Sequence, residues 1–353
     1  MIKLNVFNNH TLVKIFFSFI FLNYLYFSIR LSLRENSWIA GDWLMNYEAG
    51  ILRRGLSGEI ILLISKISTI SVTYLLIFIQ TSLFFIFLYF FFKIIQKKKI
   101  NLLFLFLLFS PVTIAFTFYD PLTVGRKEVI FFAFYVIYLS FLINILKWSL
   151  IRNLLFFLTG FLFVLIHEIF IFFSIFFIFT KFFFILKNNI KFNITNLSNE
   201  LFLFSGSLIA AIILVFFSSK DPNINHLVCS RLIESGLSSE ICTGALSEIV
   251  FSKYLNSYKS FGLSEYIISY GYLKTYTIAI LLFFTPLVLF LFSQNLSKKE
   301  INIFIIFLIF QLFFLISIFI VVNDWGRYLN IYFILTLVFI SYFFLNKKKK
   351  TKT

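Results

Sequence analysis

The sequence predicts an all-α fold, a polytopic transmembrane helix bundle of about ten helices with both termini in the cytoplasm. Three observations carry this. Hydrophobic residues make up 60% of the 353-residue chain and charged residues only 13%, with a mean hydropathy of +0.97, whereas a soluble domain carries roughly 25% charged residues. The length suits about ten helices of roughly 20 residues each. Most of the +16 net charge falls in short runs between apolar stretches: Lys97-Lys98-Lys99, Lys181 with Lys187 and Lys191, Lys298-Lys299, and Lys347 to Lys350. Such runs read as cytoplasmic anchors under the positive-inside rule, and this displaces nucleic-acid binding as the meaning of the basic charge. The 56 phenylalanines fit an AT-rich coding bias as well as lipid packing and carry no functional reading.

The lysine runs set the order of elements. The first apolar stretch, about 15–33, is too long for a signal-peptide core and has no small-residue cleavage site, so it is expected to be a transmembrane helix running outward. A polar loop, about 34–58, follows outside. Residues 59–70 read as interfacial or as the start of the next helix. Helix two, about 71–95, returns to Lys97. Helix three, about 101–118, goes out to Asp120, and helix four, about 129–146, comes back to Lys147. Basic residues flank both ends of 153–186, so this segment must cross twice, as a hairpin with His167 and Glu168 at its outer tip. Its first arm, 153–166, is short for a span, which places the tip below the membrane surface and shielded by protein. Helix seven, about 201–218, leads to an outer loop over 219–274. Helices eight (about 275–293), nine (301–322) and ten (328–345) complete a single transmembrane domain over 1–353. The two cysteines, Cys229 and Cys242, both fall in the outer loop. An even pair in an oxidising compartment suggests a disulfide, with free thiols as the alternative.

Four polar islands interrupt this apolar chain. Charge near hydrocarbon is costly and usually has a task. Arg53 and Arg54 precede Gly55 and Gly58; paired guanidiniums are forked donors suited to phosphate, and the alternative is snorkelling at a helix end. Asp42, Glu48 and Glu59 could neutralise these arginines or act as acids. The second island is Asp120-Pro121 with Gly125-Arg126-Lys127-Glu128, four charged residue types within nine positions, against the plainer reading of a helix cap. In the third, His167-Glu168 sits inside an apolar run, where either side chain could act as a general base or merely hold the hairpin tip. Asn323-Asp324-Trp325-Gly326-Arg327-Tyr328 is the fourth. There Asp324 and Arg327 could pair, and Trp325 and Tyr328 suit an aromatic belt or the stacking of a sugar. With three histidines and no His-x-x-x-His spacing, neither a metal nor another cofactor is expected.

Together, Arg53-Arg54-Gly55-Leu56, Gly125-Arg126-Lys127-Glu128, His167-Glu168 and Asp324-Trp325-Gly326-Arg327 resemble the islands of multi-pass polysaccharide polymerases of O-antigen and capsule loci, the Wzy type. The architecture is similar along the whole chain, the motifs over about twenty residues. The Arg-x10-Gly loop pattern of some members is absent, since Cys242 stands eleven residues after Arg231. The resemblance implies an inverting glycosyl transfer at the outer face of the bacterial cytoplasmic membrane. Its partners would be undecaprenyl-diphosphate-linked glycans and the lipid bilayer, with room for a chain-length regulator. Glu168, His167, Asp120 or Glu128 would supply the base. Arg53, Arg54, Arg126, Lys127 and Arg327 would meet the diphosphate, with Asp324, Trp325 and Tyr328 completing the binding surface. Two rival readings stand beside it. One is a membrane glycosyltransferase with a polyprenyl-monophosphate donor, in which Asp42 or Glu48 is the base. The other is a non-enzymatic lipid-linked oligosaccharide flippase or transporter, which should carry charge along a central cavity and show inverted repeats.

Overall fold

The structure, a computed structural model, describes residues 9–146, 148–219, 221, 223–248, 271–294, 296–321 and 325–345. It is all-helical, 77% helix, with no strand among the described residues. The α-helices in chain order are α1 (Asn9–Leu33), α2 (Ala40–Trp43), α3 (Gly55–Ser68), α4 (Val72–Gln96), α5 (Leu102–Leu108), α6 (Phe116–Tyr119), α7 (Val129–Ile137), α8 (Leu150–Ile166), α9 (Phe170–Lys187), α10 (Ser198–Phe217), α11 (Ile224–Glu234), α12 (Tyr272–Ser293), α13 (Lys298–Val321) and α14 (Trp325–Phe343). Among the described residues, six helices are long and apolar enough to cross a membrane: Asn9–Leu33, Val72–Gln96, Phe170–Lys187, Ile194–Phe217, Tyr272–Ser293 and Gly326–Phe343. Their outer flanks expose large apolar side chains such as Phe78, Phe216 and Phe292, a surface that suits lipid and not water.

Two stretches differ from the sequence expectation, and a third falls within its alternatives. The expected third helix is interrupted: α5 stops at Leu108, and the chain is non-helical until α6. Ser110-Pro111 explains this, because proline lacks an N–H and biases the preceding residue away from helix. The exposed backbone groups find partners inside the bundle. The Thr113 hydroxyl donates to the Leu108 carbonyl at 3.2 Å, and Asn330 Nδ2 donates to the carbonyls of Val112 and Thr113 at 2.9 Å each. Irregular backbone at membrane depth requires such satisfaction. The expected fourth helix, in turn, is α7 continued by a π-helical turn over Tyr138–Leu142. Finally, of residues 59–70, residues 59–68 belong to α3, a helix separate from α4. Its Ile60, Leu63, Ile64 and Ile67 face outward and Ser57, Gly58, Ile61 and Leu62 inward, the two-faced pattern of a helix lying along a surface. The segment between Arg152 and Lys187 is two helices, α8 and α9, turning at His167-Glu168-Ile169.

The two ends of the bundle differ in chemistry. At one end, Lys98 Nζ donates to the carbonyls of Tyr342 and Leu345 at 2.9 and 3.2 Å, and Lys187 Nζ to that of Phe343. The two ammonium groups thus satisfy carbonyls at and just past the C-terminal end of α14. Acidic and arginine side chains gather at the other end. There Cys229 and Cys242 form a disulfide with Cα atoms 5.9 Å apart. Arg231, on the same short helix, forks onto Glu59 at 2.7 and 2.8 Å and ties this segment to α3. Removing the bridge with a Cys229→Ser/Cys242→Ser pair is expected to cost about 3 kcal/mol in the chain-entropy model. The loss should appear as a lower melting temperature of the purified protein, and a reductant should reproduce it in the unsubstituted chain.

Candidate functional site: a buried charge cluster at one end of the bundle

Five separate segments deliver charged side chains to one place. Arg54 is the hub. Its Nε donates to both carboxylate oxygens of Glu168 at 3.0 and 2.8 Å, one terminal nitrogen reaches Glu168 Oε1 at 2.6 Å, and the other reaches Asp42 Oδ1 at 3.0 Å. Arg53 stands 3.7 Å from the same Glu168 oxygen. Behind them, His167 Nε2 lies 3.4 Å from Glu128 Oε1, which Arg327 Nε approaches to 3.2 Å. A second Arg327 nitrogen donates to the Tyr328 hydroxyl at 2.6 Å.

Local structure explains how these groups are aimed. Arg54 has φ +62°, a left-handed conformation, and it precedes the first turn of α3. A non-glycine residue there stores roughly 1–3 kcal/mol of strain unless its surroundings hold it. Here the guanidinium is forked onto two carboxylates, and the Arg54 carbonyl accepts from Lys127 Nζ at 3.0 Å. Lys127 also donates to the Ile166 carbonyl at 3.2 Å and is fully buried. It therefore staples the Arg54 loop to the α8–α9 turn, and its ammonium is spent on main-chain carbonyls. Gly125, with φ +76°, is gripped from two sides: its N–H donates to the Tyr24 hydroxyl at 3.1 Å and its carbonyl accepts from Trp43 Nε1. A side chain there would meet the Gln80 amide at 2.7 Å. These contacts set the position from which Arg126, Lys127 and Glu128 project.

Charge balance follows from burial and neighbours. Burial opposes ionisation of Asp42, but Lys127 and Arg54 overcome it and hold the carboxyl well below its usual range. For Glu168, burial is likewise outweighed, first by Arg54 and then by His167 and Arg53, again leaving the group well below that range. Glu128 is brought down to about 2 as Arg327 and His167 outweigh its burial. Burial draws the Lys127 amine down to about 8, with Asp42 opposing. His167 is lowered by burial and by Arg54, which leaves it neutral at pH 7. Its Nδ1 accepts from the Ile169 N–H at 3.4 Å, so the ring proton belongs on Nε2, toward Glu128.

Not every expected residue joins the cluster in the same way. Asp120 caps the 3-10 turn Pro121–Thr123 by accepting from the Leu122 N–H at 3.0 Å. Arg126 Nε donates to the Leu122 carbonyl at 3.0 Å, and its side chain lines the recess described next. Tyr328 is fully buried beside Arg327, so its ring packs inside the bundle and is not offered to a sugar. Asp324 and the Trp325 side chain lie outside the described residues. Glu48 and Glu59 pair with Arg231, while Asp42 is the acid that neutralises Arg54. Sequence reasoning named none of Trp43, Gln80, Thr113 and Asn330. The one available signal was Pro111, which foretells a broken helix and hence carbonyls in need of a donor.

Next to Glu128 and Arg327 lies a recess with about 480 Å³ of empty space including its mouth. The interrupted third helix forms one wall with Thr113, Ile114 and Thr117, and α14 forms another with Asn330 and Ile334. The described residues contain no group of three or more His, Cys, Asp or Glu that could hold a metal ion. In comparisons with known proteins, the chain matches no family model, no curated protein and no solved structure.

Proposed function

We propose that this membrane protein is a glycosyltransferase that joins oligosaccharide units carried on a polyprenyl diphosphate, of the Wzy type, at the outer face of the bacterial cytoplasmic membrane. The observation that carries the reading is the composition of the buried cluster. Arg53, Arg54, Lys127 and Arg327 supply four cations, and Asp42, Glu128 and Glu168 supply three carboxylates, linked in a chain of contacts through Arg54, Glu168 and His167. Arg126 lines the adjoining recess. Guanidiniums gathered in this way suit an anionic ligand. A departing diphosphate needs preorganised cations, and the acceptor hydroxyl needs a nearby base. In the transfer the acceptor oxygen bonds to the anomeric carbon, the anomeric carbon–phosphate oxygen bond breaks, and its electron pair leaves with the diphosphate. The hydroxyl proton passes to the base. The opposite placement of the lysine-rich end and the disulfide supports an outward-facing cluster.

The test is elongation of lipid-linked units by the purified protein in bilayers, and chain-length ladders in cells. Arg53→Lys, Arg54→Lys and Arg327→Lys should each slow elongation on the order of 10²–10³-fold, because lysine loses the fork. Cells should accumulate glycan of one repeat unit. Normal ladders in all three variants would sink the proposal. One observation favours a second reading: Asp42, in the first outer loop, is 1% exposed and its Oδ2 has no hydrogen-bond partner. A polyprenyl-monophosphate donor with Asp42 as base would use it. Offering monophosphate and diphosphate donors side by side separates the two.

A further inference from the structure

The recess beside Glu128 is set apart from the side of the cluster that holds Arg53 and Arg54. Arg53, Arg54 and Glu168 form the partly open side, with Glu168 30% exposed. Glu128 is 3% exposed and lines the recess. Arg327 and His167 approach its Oε1 only as ion-pair contacts, and Oε2 has no hydrogen-bond partner. A buried carboxylate oxygen without a donor is costly, so it calls for one. Besides Glu128, the wall carries the hydroxyls of Thr113, Thr117 and Thr123 and two arginines, Arg126 and Arg327, above an apolar floor that includes Phe132 and Ile334. The broken third helix creates this wall. Had the helix continued past Leu108, regular backbone would replace the turn that brings Thr113 and Thr117 to the recess. Asn330 acts as a positioning residue, since its amide holds the turn by two carbonyls.

We propose that this recess is the acceptor subsite, where one edge of a neutral sugar enters and a hydroxyl donates to Glu128. The assignment rests on the glycosyl-transfer reading and divides the site in two. The side with Arg53 and Arg54 takes the donor's diphosphate, and the recess takes the acceptor's reacting sugar. The recess is narrow and partly open, so only one edge of the reacting sugar enters it and the other sugars of a unit stay outside. In the transfer step the acceptor oxygen bonds to the donor's anomeric carbon, the bond to the diphosphate breaks, and the hydroxyl proton passes to Glu128. His167, 3.4 Å from the other Glu128 oxygen, positions the carboxylate.

The test places a thiol in the wall. Thr117→Cys replaces the hydroxyl with a thiol and removes one methyl group, and Cys229 and Cys242 are already paired. The variant is embedded in lipid nanodiscs and treated with methyl methanethiosulfonate, alone, with undecaprenyl diphosphate, or with single lipid-linked repeat units. The single unit should slow modification at least tenfold, and undecaprenyl diphosphate should leave it unchanged. Equal protection by both probes would place lipid diphosphate in the recess and overturn the assignment, as would protection by neither. A thiol that fails to react in the ligand-free protein would overturn it too, because the recess would then be closed to a hydroxyl. Elongation by the unsubstituted protein is measured in parallel. If it joins no units, the glycosyl-transfer reading fails; if it elongates and Thr117→Cys is unprotected, only the recess assignment fails. As a second measure, Ile334→Trp should raise the KM for the single unit and leave that for the donor unchanged.

Discussion

Arg54→Met should destabilise the protein more than removal of either carboxylate it serves. The guanidinium is 14% exposed and is the direct partner of Asp42, 1% exposed, and of Glu168. Taking it away leaves two carboxylates facing each other near the membrane boundary. Removing one partner of a buried ion pair costs about 3–5 kcal/mol, chiefly because the remaining charge is stranded. Glu168 is 30% exposed and keeps some water, so we expect the lower end, about 3 kcal/mol. Glu168→Gln should be milder, because the amide oxygen still accepts from the fork and no charge is stranded. The backbone adds a second signature. At φ +62° glycine is at ease and methionine is not, so Arg54→Gly should be less unstable than Arg54→Met despite losing the same fork. Both variants should abolish elongation. Melting temperatures in one detergent give the order. If Arg54→Gly melts at or below Arg54→Met, the left-handed backbone is not a source of strain. If Arg54→Met melts like the unsubstituted protein, the cluster does not hold the fold together.

This division of labour was only partly legible in the sequence. Composition and lysine runs are one-dimensional signals with large energies behind them, so they revealed the helical class and the turn at His167-Glu168. Arg54, Glu128, His167 and Glu168 stood out because each carries a charge in an apolar neighbourhood, and the solvation cost of such a charge does not depend on what lies across the bundle. Pairing does depend on it. Arg54 and Glu168 are 114 positions apart in the chain, and no local pattern tells that Asp42 serves Arg54 while Glu48 and Glu59 serve Arg231. Roles were less legible still. Lys127 reads as a phosphate ligand beside Arg126, yet its ammonium holds two carbonyls. Tyr328 reads as a belt aromatic, yet its hydroxyl accepts from Arg327. The interruption after Leu108 was written in Ser110-Pro111. Its partner Asn330 was not, because an asparagine within an apolar helix has many possible uses.

The same limit applies to glycines, whose meaning lies in what they touch. Gly160 on α8 and Gly206 on α10 stand at one crossing. A methyl at Gly160 would lie 2.0 Å from the Leu203 carbonyl oxygen, and one at Gly206 would lie 2.0 Å from that of Phe157. Both obstacles are backbone, so no side-chain rotation relieves them. The helices run parallel there, as the Arg152–Asn199 contact at 3.1 Å near their starts also shows. Small residues at such crossings let helices approach in lipid, where association depends on close packing. Gly160→Ala and Gly206→Ala should therefore each cost about 2–3 kcal/mol, the upper part of the range for overpacking. The double variant should cost clearly less than the sum, because one separation of the helices makes room for both methyl groups. Elongation should fall in each variant as well, since α8 ends at Ile166 and carries His167 toward Glu128. A double-mutant cycle on melting temperature decides the matter. Additive losses would mean that the two glycines answer to separate contacts, and that α8 and α10 do not move apart as a pair.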